Sequence, residues 1–429
     1  MNTVLNLTVV FIIMATIAFL IAYSRRISWW FGGLKPQKKY VSKKINKFAV
    51  VIPARNEGKT LLPLIESLLR QTYDKNSYDV HIVVKESDDP TIGMVKEIMP
   101  YANFYIDPEQ KTKGHALNYC IDQICSQRQG YYDAFLIIDA DCLLEDDYLV
   151  EMNNALANGR GVYNSKLVVK NYLNKDKNAN SWASKCNGLI WTLMSECGNR
   201  ARSDKGATIM VLGTGLMIRA NLVEKWHGWP FQQTLTEDVE LQRYCAINRI
   251  KTGYVSQAVC YVEESTSLHV SNIRRQRWMS GVVHCDRIYD EEQKKNISTK
   301  EDKLNYYAVH SLYYVYWYFG FLFFEAIALA ISSIVLHFMG SEYTSGFFML
   351  ALVCLGLIYL GFFAMTCACM FVDRKYIKMN IFSKIFICLT HPIYYMGYIG
   401  VMIKCFTLKQ KVDWKRIERV EFEDNVFEK

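Results

Sequence analysis

The run FLIIDADC, residues 135–142, ends in two carboxylates two residues apart. Four consecutive apolar residues read as a buried strand, and in extended backbone residues i and i+2 point the same way. Asp139 and Asp141 can therefore reach one ion, directly or through water. Hard oxygen ligands suit Mg2+ or Mn2+, ions that typically also take substrate phosphates. A second acidic pair, Glu237-Asp238 in TLTEDVELQRY, falls in the first turn of a helix for which Thr236 is a ready N-cap. Two roles are open to it. The pair either complements the helix dipole, or one member is a general base held near a hydroxyl, its neighbour keeping its pKa from falling. In KTKGHALNY, Gly114 permits close backbone approach, Lys113 could meet a phosphate, and His115 reads as structural. The stretch RRQRWMSG, residues 274–281, packs three arginines, a glutamine and a tryptophan into five positions. It is a solvated basic face, a lipid headgroup anchor, or a grip on a substrate.

These groups must be positioned by the elements around them. Phe48–Ile52 and Val80–Val84 read as strands, as does Ala134–Ile138. Leu61–Leu69 and Ala116–Ile124 carry apolar residues at helical spacing, with Pro63 tolerable in a first turn. The β-α-β alternation predicts an α/β domain, a mostly parallel sheet covered by helices on both faces. Ligands of such sheets sit at the carboxyl ends of the strands. The residues found there are Pro53-Ala54-Arg55-Asn56-Glu57, then Lys85-Glu86-Ser87-Asp88-Asp89, then Asp139-Ala140-Asp141.

Apolar residues concentrate at the two ends of the 429-residue chain. Val4–Tyr23 is long enough to cross a bilayer core and lacks the basic start and small-residue cleavage site of a removed signal. The acid-free basic run after it holds Arg25, Arg26, Lys35, Lys38, Lys39, Lys43, Lys44 and Lys47, much of the formal net charge of +8. Beside a membrane helix such a run marks the cytoplasmic flank and argues against a nucleic-acid partner. Two further spans are expected at Leu312–Phe338 and Phe347–Val372. A last apolar segment, Ile385–Ile403, is flanked by positive charge on both sides and interrupted by Pro392, so it crosses, re-enters or lies in the interface. Glu325, inside the second span, either faces helix neighbours or lines a polar path. The thirteen cysteines contain no C-x-x-C pair, which argues against a zinc site or a disulfide framework and for a reducing cytosol. The expected organisation is a membrane helix at 1–24, a basic cytoplasmic linker at 25–47 and an α/β domain at 48–270. An interfacial helix region at 271–305, a membrane region at 306–407 and a charged tail at 408–429 complete it.

The motifs come in one order: VVIPARNE, TKGHALN, IIDADC, GTGLMIR, GW before TED, then RRQRW and membrane helices. That order resembles the membrane-integrated branch of family 2 inverting glycosyltransferases, which includes cellulose, chitin, hyaluronan and poly-N-acetylglucosamine synthases. The resemblance spans roughly residues 47–281 and implies a GT-A, Rossmann-like cytosolic domain with transmembrane helices at both ends. It implies a multi-pass protein of the cell membrane acting on a nucleotide-sugar, with Mg2+ or Mn2+ as cofactor. Pro53, Ala54, Arg55 and Glu57 would line the nucleotide pocket, and Lys113 would approach the nucleotide. Asp139 and Asp141 match the D-x-D that contacts the nucleotide and holds the ion. Asp238 matches the catalytic aspartate of T-E-D. Arg277 and Trp278 match the Arg-Trp of Q-x-x-R-W, the arginine helping with the diphosphate and the tryptophan sitting by the acceptor end. Glu237 and Gly215 fall with Trp278 on the acceptor side. Two departures stand out: Arg274 occupies the Gln position, and the second strand ends in Lys85-Glu86, leaving Glu86 or Asp88 for the base contact.

The implied reaction moves a sugar from a UDP-sugar to an acceptor hydroxyl, in polysaccharide synthesis or, alternatively, onto a membrane lipid. The aromatic run HSLYYVYWYFGFLFF could line a sugar channel or form an interfacial belt. Three or four spans are few for a pore, which an oligomer or membrane partner would complete. A non-catalytic membrane scaffold is the rival class, and the intact Asp139, Asp141 and Asp238 speak against it.

Overall fold

The computed structural model of the protein describes residues 2–32, 34–173 and 180–407. Helix α1 (Asn2–Gly32) leads into β1 (Phe48–Pro53), α2 (Leu62–Leu69), β2 (Tyr78–Val84), α3 (Pro90–Ile98) and β3 (Asn103–Ile106). Then come α4 (Lys113–Arg128), β4 (Ala134–Ile137), the two-residue β5 (Leu143–Leu144), α5 (Tyr148–Leu156) and β6 (Val162–Val169). Helix α6 (Trp182–Met194) passes through a π-helical turn, Ser195–Asn199, into α7 (Arg200–Asp204). The domain closes with β7 (Leu216–Arg219), α8 (Ala220–Trp226), α9 (Glu237–Ile247) and β8 (Thr252–Val262). Four long helices follow: α10 (Leu268–Lys295), α11 (Lys300–Phe338), α12 (Thr344–Val372) and α13 (Ile381–Thr407).

The strands form one sheet in the order β3-β2-β1-β4-β7-β6-β8-β5. Strands β1, β2, β3 and β4 run parallel, with Phe48 opposite both Tyr78 and Ala134. The expected parallel sheet is thus present, but β7 enters it antiparallel between β4 and β6. The period-2 alternation of β1 explains the layering. Phe48, Val50 and Ile52 pack with Leu64, Ile65 and Leu68 of α2 on one face. Ala49 and Val51 pack with Ala116, Leu117, Cys120, Ile121 and Ile124 of α4 on the other. Every cysteine is free.

Among the described residues, four helical stretches are long and apolar enough to cross a membrane: Thr3–Ile21, Trp317–Phe338, Thr344–Val372 and Ile381–Phe406. Two boundaries differ from the sequence expectation. Helix α1 does not stop at residue 24 but runs to Gly32, so the basic run begins on the helix. The awkward last segment is one continuous helix with Pro392 inside it. At 1.5 Å per residue its 26-residue apolar stretch extends about 39 Å, longer than a hydrocarbon core of about 30 Å. Part of the aromatic run of α11 serves helix packing. Tyr318 stacks on Phe19 of α1 at 3.9 Å, Phe319 packs on Phe362 of α12, Trp317 is exposed, and Glu325 is half-buried. The charged tail expected at 408–429 lies outside the described residues.

Candidate active site

The site is built at the carboxyl end of β4. Asp139 follows that strand almost directly, and its N–H donates to Thr214 Oγ1 at 2.9 Å. The loop carrying Thr214 is held by Asn164 of β6, which is fully buried. Asn164 Oδ1 accepts the Leu212 N–H at 2.9 Å, and its Nδ2 donates to the Leu212 and Thr214 carbonyls, both at 3.0 Å. A buried amide with both ends satisfied leaves this loop one conformation. Helix α4 starts at Thr112, whose Oγ1 accepts the His115 N–H, and so delivers Lys113. Lys113 Nζ lies 2.6 Å from Asp139 Oδ1 and 3.4 Å from Glu237 Oε1, and donates to the Gly213 carbonyl at 2.5 Å.

The acidic pair arrives from another direction. Glu240, fully buried one turn into α9, accepts the Thr234 N–H at 2.5 Å and the Gln233 N–H at 3.2 Å, which folds the preceding loop back onto the helix. Thr236 stands at the N-cap position, yet its side chain makes no cap bond. It faces α10 instead. A Cβ added at Gly281 would lie 2.3 Å from the Thr236 side chain, so only glycine at the end of RRQRWMSG lets α10 press against the T-E-D turn.

The charges are strongly coupled. Burial and the charge of Glu237 push the Asp238 carboxyl up to about 7, against the opposing pull of Lys113. Burial likewise raises Asp139, with Lys113 opposing and Asp141 reinforcing. Burial alone would lower Lys113, but Asp139, Glu237 and Asp238 outweigh it and hold the ammonium charged. Arg277 is lowered by burial, while Glu237 and Asp238 draw it back.

A cavity of about 280 Å³ gathers Lys113, Asp139, Asp141, Glu237, Asp238, Arg277 and Trp278, seven of the residues singled out in the sequence. Trp191 of α6 and Tyr395 and Tyr398 of α13 also line it, so the cavity reaches a membrane-type helix. The other candidates lie apart from it. Pro53 ends β1, and Ala54, Arg55 and Glu57 lie in the loop after it, anchored by the Ala54 N–H on the Val83 carbonyl and by the Asn56 N–H on Asp89 Oδ2, both at 2.8 Å. Glu86 and Asp88 are exposed. The buried acid at that strand end is Asp89, whose other oxygen accepts the Thr91 N–H at 2.9 Å to cap α3. Gly215 has a left-handed φ of 60°, and a Cβ there would lie 2.1 Å from Ser165 Oγ. Gly213 instead is the glycine beside the charges, its Cβ position 3.3 Å from both Asp238 Oδ2 and Lys113 Nζ.

The arginines of RRQRW divide by helix face: Arg274 and Arg277, three residues apart, both line the cavity. Arg275, buried, lies over the rings of Tyr394 and Tyr398 at 4.2 and 4.4 Å and docks α13. Arg274 pairs with Glu264 at 3.3 Å and covers Trp278 at 5.4 Å. Trp191 and Glu264 belong to no motif visible in the sequence.

The comparisons agree with this architecture. Residues 46–281, more than half of the chain, match the family model described as Glycosyltransferase like family 2. The chain is 22 % identical over 379 residues to a poly-beta-1,6-N-acetyl-D-glucosamine synthase of Staphylococcus epidermidis, covering 86 % of this chain and 85 % of the relative. A same-named protein of strain RP62A of that species is 21 % identical over 374 residues, with the same two shares. The fold is similar to that of a mannosyltransferase of Pyrobaculum calidifontis solved with GDP-Man and Mn2+. That similarity has a TM-score of 0.54 at 16 % identity over 93 % of this chain and 99 % of the other. A GT-A-like sheet, helices able to span a bilayer at both ends, and a match across the whole catalytic stretch lead to one assignment: the chain belongs to glycosyltransferase family 2.

Proposed function

We propose that the protein is an inverting polysaccharide synthase that transfers a sugar from a UDP-sugar to a carbohydrate hydroxyl at the cytoplasmic membrane face. The observation that carries this reading is Asp238. Its carboxyl is raised to about 7 in a cavity that also holds Lys113, Arg277 and the Asp139/Asp141 pair. A base poised near neutrality is what general-base catalysis requires. The likeness to poly-beta-1,6-N-acetyl-D-glucosamine synthases over most of the chain supports a polymer product and makes UDP-N-acetylglucosamine the first donor to try.

The acceptor hydroxyl attacks the anomeric carbon on the face opposite the diphosphate. The new glycosidic C–O bond forms as the bond to the diphosphate breaks, the hydroxyl proton passes to an Asp238 carboxylate oxygen, and UDP leaves with the bonding pair. Lys113 and Arg277 hold the diphosphate and offset the charge that develops on it. Two hard carboxylates at a strand end, with no cluster of three or more acidic, His or Cys ligands among the described residues, suit an ion completed by substrate phosphates. Mg2+ or Mn2+ held by Asp139 and Asp141 would add further positive charge at the leaving group. Pro53, Ala54, Arg55 and Glu57 contribute the nucleotide side of the site.

Incubating the full chain in membranes with a panel of UDP-sugars and weighing the product tests the reading. A polymer supports it, whereas a single-sugar glycolipid moves the assignment to lipid glycosylation. Asp139→Asn should weaken Mg2+-dependent UDP binding by more than the roughly 10–100-fold that loss of a ligand's supporting partner costs. Calorimetry with and without chelator reads this, and metal-independent binding would remove Asp139 from that role.

The pH dependence has a definite sign. Asp238 must be ionised to accept a proton, so its raised pKa makes kcat/KM fall about tenfold per unit as pH drops below about 7. Glu237→Gln removes the neighbouring charge that helps raise Asp238, and should shift this limb to lower pH. A profile flat down to about pH 5 would exclude Asp238 as the base.

A further inference from the structure

The turn that carries Asp139 and Asp141 is pinned from two sides. The Cys142 N–H donates to the Asp139 carbonyl at 3.1 Å and closes it, so the direction of Asp141 follows the orientation of its own peptide. On one side Thr214 Oγ1 accepts the Asp139 N–H at 2.9 Å. On the other, Lys170 Nζ donates to the Asp141 carbonyl at 3.1 Å. Lys170 is buried, and its ammonium lies 2.9 Å from Glu263 Oε2, the two side chains being only 9 % and 5 % exposed. Glu263 lines the cavity that holds Asp139, Asp141 and Asp238. The pairing has a topological cause. Strands β6 and β8 run parallel to their last residues, Val169 opposite Val262, so Lys170 and Glu263 leave the sheet side by side. The next pair repeats the clasp: Asn171 Oδ1 accepts the Glu264 N–H at 2.9 Å, and its Nδ2 donates to the Glu264 carbonyl at 3.0 Å. A buried ammonium alone would be costly, and its charge would oppose a divalent ion at the acidic pair. Glu263 cancels that charge, so the ammonium can fix the Asp141 peptide without repelling the ion.

We propose that Lys170 and Glu263 are positioning residues for the acidic pair: their buried ion pair orients the Asp141 peptide so that the Asp139 and Asp141 carboxylates can serve one divalent ion. This rests on the transferase reading above, in which that ion is shared with the diphosphate of the donor. Both residues act through the turn they hold.

Calorimetry of UDP binding to the full chain in detergent, repeated at a series of Mn2+ concentrations, tests the proposal. Lys170→Met combined with Glu263→Gln removes both charges together, and replacing a buried ion pair whole is often neutral for folding. This double variant should need about tenfold more Mn2+ than wild type for half-maximal UDP binding, within the roughly 10–100-fold that loss of a ligand's supporting partner costs. Excess Mn2+ should restore its UDP affinity, which a general defect of folding would not allow. Glu263→Asp keeps both charges but draws the ammonium away from the Asp141 carbonyl. It decides the matter if the double variant does not fold, and should raise the Mn2+ requirement by a smaller factor. A Mn2+ requirement equal to that of wild type in the variant that folds, or a loss of UDP affinity that excess Mn2+ does not restore, overturns the positioning role alone. UDP binding to wild type that ignores Mn2+ overturns the assignment of the ion to Asp139 and Asp141, and this proposal with it.

Discussion

Replacing Asp238 with asparagine is expected to lower turnover by about 10²–10⁴-fold, the usual worth of a positioned general base, while UDP binding persists. The substitution is close to isosteric. Asp238 Oδ1 accepts the Val239 N–H at 2.9 Å, a bond an amide oxygen can keep, so the start of α9 should hold its shape. What is lost is the ability to take a proton. Glu237 remains nearby, but its Oε1 lies 3.4 Å from Lys113 Nζ and is engaged by that ammonium. Initial rates of transfer together with calorimetry for UDP separate chemistry from binding. Turnover within about tenfold of wild type would leave Asp238 below the contribution of a general base.

The second large effect concerns stability. Lys166, on β6 beside a register shift at Ser165/Lys166, is almost fully buried. Its Nζ sits 2.5 Å from Asp373 Oδ1 and 3.3 Å from Glu196 Oε1, and 4.1 Å from the centre of the Tyr376 ring. Asp373 caps the end of α12 and accepts from Thr192 Oγ1 at 3.0 Å. Glu196 accepts from Tyr254 Oη at 3.0 Å and Ser256 Oγ at 2.8 Å and faces Arg200 at 3.4 Å. One ammonium therefore joins the transferase sheet, the π-helical turn and a membrane-type helix. Lys166→Met leaves two buried carboxylates facing each other, and a broken buried pair typically costs about 3–5 kcal/mol. Asp373→Asn in the same chain removes one stranded charge and should recover part of that loss. Thermal unfolding in detergent reads both variants. A single variant as stable as wild type would mean that water reaches the network.

The legible part of the site is the part written in short-range pattern. Asp139 and Asp141 could be read because a strand alternates with period 2 and a parallel sheet presents its ligands at the strand ends. Glu237 and Asp238 were recognisable as an acidic first turn, but that burial raises the Asp238 carboxyl and that Lys113 lies against Glu237 could not be read from the sequence. At the second strand end Glu86 and Asp88 are exposed, and the neighbouring Asp89 is buried as a cap. A cluster of acids in a loop looks alike residue by residue, and only the approach of the Asn56 N–H distinguishes one from the next.

Chain order and composition were enough to identify the α/β domain, three of the apolar helices and the family, while the last apolar segment stayed open. These follow from hydrophobic periodicity and motif order, which neighbouring residues carry. The folded arrangement decided the rest: Arg274 and Arg277 of RRQRW line the cavity, Arg274 also reaching Glu264, while Arg275 docks α13. It also brought Trp191 onto a carboxylate 73 residues away, and Lys166 onto an aspartate 207 residues away. Contacts at such separations depend on how whole elements pack, because each side chain's partner is supplied by another helix or strand and leaves no local period to read.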